Sequence, residues 1–99
     1  MAKFDFTTLY SQVPEAIEAM GSEFNSHELI LEIAQNNQRE YIEALAAYRN
    51  SKHPFMHVHK QLSTYLRKFE NDKLKCLGHK PSRDIFGKPN TCLAWKKYT

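Results

Sequence analysis

Pro54-Phe-Met-His-Val-His-Lys-Gln-Leu-Ser-Thr-Tyr-Leu-Arg-Lys-Phe69 places Phe55, Val58, Leu62, Tyr65, Leu66 and Phe69 at three- and four-residue steps. That recurrence marks a helix with one apolar stripe, the cleanest in the chain. Pro54 suits its first turn, where a missing N–H leaves no bond unmade. The opposite face reads His57, Lys60, Gln61, Thr64, Arg67 and Lys68 and holds no acid. The spacing therefore predicts a helix over 54–69 that is buried on one side and cationic on the other.

Beyond Asn71-Asp72 the period changes. Lys73 to His79, with Leu74, Cys76 and Leu77, reads as a short strand, and Thr91 to Tyr98 alternates Leu93 and Trp95 with Cys92, Ala94 and Lys96. Between them, Lys80-Pro-Ser-Arg-Asp-Ile-Phe-Gly-Lys-Pro-Asn90 is dense in breakers and predicts the loop of a hairpin, with Ile85-Phe86 folding back to pin it.

Upstream, Asn50-Ser51-Lys52-His53 is a polar connector. A helix from about Gln38 to Arg49 shows Tyr41, Ile42, Leu45 and Tyr48 on one face. Asn36-Asn37 breaks it from a preceding helix, since both side chains compete for the backbone. That preceding helix has the best-marked start in the chain. Asn25 as cap puts Glu28 at the third helical position, a capping box, with Phe24 and Leu29 set as a hydrophobic staple. Leu29, Ile30, Ile33 and Ala34 form its stripe. Earlier still, Phe6, Leu9, Tyr10, Val13, Ile17 and Met20 keep helical spacing until Gly21, and Pro14 calls for a kink or a fresh helix start.

The elements predict one domain over 1–99, mainly α with a C-terminal β-hairpin (α+β): three to four helices, then two strands. Apolar residues make up 41% of the chain, enough for one modest core but not for a cavity around a large cofactor. No run approaches the roughly 18 apolar residues of a membrane helix. The opening residues lack the apolar run of a signal peptide, and two cysteines are too few for a secreted disulfide scaffold. A cytoplasmic protein without a membrane segment is expected.

The net charge of +3 hides a division. Residues 1–49 carry three basic side chains against eight acidic ones, a net −5, and residues 50–99 carry eleven against three, a net +8. Such asymmetry points to an anionic partner, most commonly nucleic acid. The rival reading is a domain whose halves neutralise each other.

Helices, a connector, a basic amphipathic helix and a basic-tipped hairpin, in that order, resemble the winged helix-turn-helix class of DNA-binding domains. The resemblance covers 24–98 and leaves 1–21 as an N-terminal helical extension. It implies that the helix at 54–69 enters the major groove and that the loop at 80–90 is the wing. Gln61 and Thr64 would then read bases, with Lys60, Arg67, Lys68, Lys80, Arg83 and Lys88 on phosphates and His57 on the same face. The helix at 38–49 would lie across the backbone and would have to turn Glu40 and Glu43 away.

Other constellations carry less. Cys76-x-x-His79 with Cys92 and an upstream histidine would make four zinc ligands, but without the paired spacing of a zinc motif. A cross-strand Cys76–Cys92 disulfide is conceivable in a hairpin. His59 follows Leu62 and Leu66 and reads as a histidine packed at the core margin. Trp95 and Tyr98 read as core and hairpin cover, with base stacking as the sharper option. Asp84-Ile-Phe-Gly87 has no kinase around it, and no nucleophile elbow, phosphate loop or metalloprotease pair is present, so no enzyme and no cofactor are expected. The rival function is a protein-interaction module or homodimeric adaptor, with Tyr10, Tyr41 and Tyr48 as anchors if exposed.

Overall fold

A computed structural model describes residues 4–98. Helices α1 (Thr7–Tyr10) and α2 (Val13–Ala19) lead into strand β1 (Glu23–Asn25). Helices α3 (Ser26–Asn36), α4 (Gln38–Ala47) and α5 (Pro54–Leu66) follow, and a 3-10 turn (Arg67–Phe69) closes α5. Strands β2 (Leu74–Arg83) and β3 (Pro89–Lys97) complete the chain. The architecture is α+β, with a three-stranded antiparallel sheet in the order β1-β3-β2.

The helix starts follow local chemistry. Pro14 stands in the first turn of α2, so the early segment is two helices. At α3 the Asn25 side chain accepts from the Glu28 N–H at 2.9 Å, and the Glu28 carboxylate accepts from the Asn25 N–H at 3.0 Å. The two bonds satisfy reciprocal orphan donors, as the Asn25–Glu28 spacing predicts. Phe24 and Leu29 are both buried beside them. α3 ends at Asn36 and α4 begins at Gln38, with Asn37 serving both.

α3 is the hub, packing on α2, α4, α5 and β3. Val58, Leu62 and Leu66 of α5 are fully buried against it, in one core with Leu9, Val13, Ile17, Leu29, Ile30, Ile33, Leu74 and Trp95. Each such side chain contributes about 2 kcal/mol by leaving water. The first two helices, within the segment expected as an extension, therefore supply part of the same core. Lys97 ties them to the sheet: its ammonium donates to the carbonyls of Met20 at 2.6 Å and Glu18 at 3.2 Å, at the negative end of α2.

The sheet corrects the expected two-stranded hairpin in three ways. β1 adds a third strand, pairing Phe24 with Trp95. Three residues are too few to show a period of two, and the partner lies far along the sequence. The strands also run further than expected: β2 reaches Arg83 and β3 starts at Pro89, so the loop at 80–90 shrinks to Asp84–Lys88. Pro81 is tolerated because β2 is a sheet edge, and Pro89 because it is the first residue of its strand. Finally, the register shifts between Cys76 and Gly78, where Gly78 takes a φ of 88° and forms a bulge.

That register separates the cysteines. Cys76 pairs with Trp95 and Cys92 with Lys80, so the thiols do not face each other as the conceivable disulfide required, and both are free. Among the described residues no cluster of His, Cys, Asp and Glu is placed to hold a metal ion, and no helix is long and apolar enough to cross a membrane.

Candidate nucleic-acid interface

The turn Asp84-Ile85-Phe86-Gly87 is built by its sequence. The Asp84 N–H donates to the Lys88 carbonyl and the Gly87 N–H to the Asp84 carbonyl, both at 2.9 Å. Gly87 takes a φ of 82°, which only glycine adopts without strain, and so closes the turn. The Asp84 carboxylate accepts from the Phe86 N–H at 2.9 Å and the Lys88 N–H at 3.0 Å. Those bonds, the one from Lys88 foremost, hold its pKa below the ordinary carboxylate value.

The turn folds back as expected: Ile85 is partly buried against the core, and Phe86 reaches the start of α5. The ring of Phe86 meets that of Phe55 edge to face at 4.8 Å, with the planes 80° apart. Phe55 was expected in the buried stripe. It is instead 42% exposed, because it sits one turn before Val58 and overhangs the end of the core. Between the first turn of α5 and the hairpin turn runs a groove of ≈ 610 Å³. Its walls include Phe55, Met56, Phe86, Lys52, Lys60 and Lys88, with His27, His53 and His59 around them.

The structure sorts the expected contact residues. His57, Lys60, Gln61 and Thr64 on α5, and Arg67 and Lys68 on the 3-10 turn that closes it, are all exposed. Lys60 and Lys88, from two elements, come together as walls of the groove. Four of the others have partners nearby. His57 stacks on Tyr48 with centroids 5.4 Å apart, and Gln61 accepts from the Tyr10 hydroxyl at 3.3 Å. Lys68 lies 5.1 Å over the Tyr65 ring, and Arg67 pairs with Glu70 at 3.7 Å. Lys80 and Arg83 stand on strand β2, not on a loop, because the hairpin strands are longer than the prolines suggested. Arg83 donates to the Gly87 carbonyl at 2.7 Å and braces the turn.

His59, beside the groove, sits at the core margin. The Tyr41 hydroxyl is 2.6 Å from its Nε2. Burial pushes the His59 pKa down to about 4, aided by the charge of His27, and burial pushes Tyr41 up to about 12. At neutral pH His59 is therefore uncharged and Tyr41 protonated, so the hydroxyl donates to Nε2.

The tyrosine anchors are not free. Tyr41 is buried, while Tyr10 and Tyr48 are half-buried in an aromatic cluster with Phe6 and Tyr65, where Tyr10 and Tyr65 stack at 4.0 Å. Trp95 is 0% exposed and its indole N–H donates to Ser26 Oγ at 3.1 Å, so it offers no stacking face. Tyr98 is exposed, contrary to a role as core. The groove is not visible in the sequence. Its one signal was Phe86 in a turn that folds back, since Phe55 fits the helical stripe. No protein-family model matches the chain, and neither a curated protein nor a solved structure does.

Proposed function

We propose that the protein binds duplex DNA, as a small winged-helix-like domain, through the exposed face of α5 and the hairpin turn. One observation carries the reading: Lys60 on α5 and Lys88 on the turn line the same groove, so the two basic elements make one surface. The α5 face adds His57, Gln61 and Thr64 and contributes no acid, and the 3-10 turn that closes α5 adds Arg67 and Lys68. Lysine and arginine would meet phosphates there, and Gln61 and Thr64 are short polar groups able to bond base edges. The pairing of Gln61 with Tyr10 would have to exchange on binding, at little cost for a 3.3 Å exposed bond. Arg83 acts by shaping the turn, and Lys80 stands apart from the groove, further along β2, where it lines a hollow with Glu23 and Glu28.

The rival reading, a docking module for protein or a second copy, draws on the exposed apolar side chains Phe55, Met56 and Phe86. Anisotropy of a labelled blunt duplex separates the two. Contacts to about six phosphates predict an affinity loss of about a thousandfold between about 50 and about 200 mM salt. Absence of binding at low salt removes the DNA reading. A chain that binds no duplex and sediments as a concentration-dependent dimer supports the rival.

A further inference from the structure

Phe86 is 57% exposed, Met56 64% and Phe55 42%, and these three share one groove with Lys52, Lys60 and Lys88. Its one carboxylate among the described lining residues, Asp84, is held by two N–H groups of the turn. An aromatic floor inside a cationic rim asks for a ligand with flat apolar faces and several negative charges. A closed duplex satisfies the rim only, because its base faces are stacked on one another and present edges to a protein. Unpaired nucleotides satisfy both, since every base has a π face and every linkage a phosphate. The groove volume of ≈ 610 Å³ lies within the roughly 300–1,000 Å³ of sites that enclose small ligands, room for a base and its sugar.

We infer that this groove takes unpaired nucleotides, the overhang or frayed end of a DNA whose paired part lies on α5. One base rests against Phe86 and Phe55, and the flanking phosphates meet Lys52, Lys60 and Lys88. The inference rests on the nucleic-acid reading above and names which part of the nucleic acid the groove selects. Exposed apolar surface beside the reading helix, unnecessary for a blunt duplex, then has a use.

The test compares a blunt duplex with the same duplex bearing a short oligothymidine overhang, by anisotropy at one salt concentration. For the wild type the overhang should tighten binding about tenfold, the effect of one stacked base at about 1.4 kcal/mol. The ratio of the two affinities is then measured within Phe55→Ala, Phe86→Ala and Phe86→Leu, so that any change in the duplex surface cancels. All three should shrink the gain. Phe86→Leu keeps an apolar contact with Phe55 while removing the flat face, which guards against a variant that merely loosens the turn. Equal affinity for both DNAs, with blunt binding intact, overturns this inference and leaves the duplex reading standing. An overhang gain that survives all three substitutions also overturns it. Failure of both DNAs to bind at low salt overturns both. So does occupation of the groove by an acidic amphipathic peptide that neither DNA displaces, which assigns it to a protein partner.

Discussion

Phe55 and Phe86 meet edge to face at 4.8 Å, and through that contact the hairpin turn is held against the first turn of α5. The pair, with Ile85 packed on the core beside it, sets the two basic elements side by side. Both rings are partly exposed, so the contact is a light latch. Phe86→Ala is expected to cost about 1 kcal/mol in denaturant unfolding, the value of an aromatic pair beyond its area. Hydrogen-exchange protection should fall at Asp84–Lys88 and stay unchanged in α3. A loss confined to α3 would place the latch elsewhere.

Gly87 makes the turn that aims Phe86. Its φ of 82° disfavours any side chain, although a Cβ there would meet no neighbour. Gly87→Ala should therefore destabilise by about 1 kcal/mol through backbone strain alone. Thermal unfolding checks this, and an unchanged midpoint would show that the turn relaxes freely.

Asn25 has two duties. It caps α3 through the Glu28 N–H, and its Nδ2 donates to Ser82 Oγ at 3.1 Å, linking helix start to β2. Asn25→Ala should cost about 1–2 kcal/mol, at the upper end for a cap, whereas Asn25→Asp keeps the cap and loses only the link. Urea midpoints should rank wild type, then Asp, then Ala.

The capping box, the Pro14 helix start, the α5 stripe and the helix break at Asn36-Asn37 were legible because each is decided within a few residues. β1 was not, since Glu23–Asn25 becomes a strand only by pairing with β3. The hairpin strands were read too short because Pro81 and Pro89 look like breakers until one knows that they occupy an edge and a strand start. The exposed face of α5 followed from helical periodicity. The groove did not, because Phe55 fits the helical stripe and only the returning turn brings Phe86 to it. The Gln61–Tyr10 bond was equally invisible, as it depends on where α1 settles, whereas Arg67–Glu70 and Lys68–Tyr65 stand three residues apart, a spacing the sequence does show.

His59 makes stability depend on pH. Its folded pKa of about 4 lies below the ordinary 6.5, so the unfolded chain binds the extra proton between those values. Its contribution is full above pH 6.5, declines as pH falls, and is gone below about 4. The loss should amount to about 2 kcal/mol, allowing for the partial exposure of the ring. Wild type and His59→Gln, compared by urea unfolding from pH 7 to pH 4, should converge as pH falls. Parallel curves would deny the assignment.

We propose that α5 and the hairpin turn together form one nucleic-acid surface. Amide chemical shifts of the labelled chain, followed as a short blunt duplex is added at low salt, test it most directly. Saturable shifts are expected at Lys60, Thr64 and Lys88, fading as salt rises, with the acidic faces of α2 and α3 unmoved. Shifts centred on α2–α4, or none at all, would contradict it.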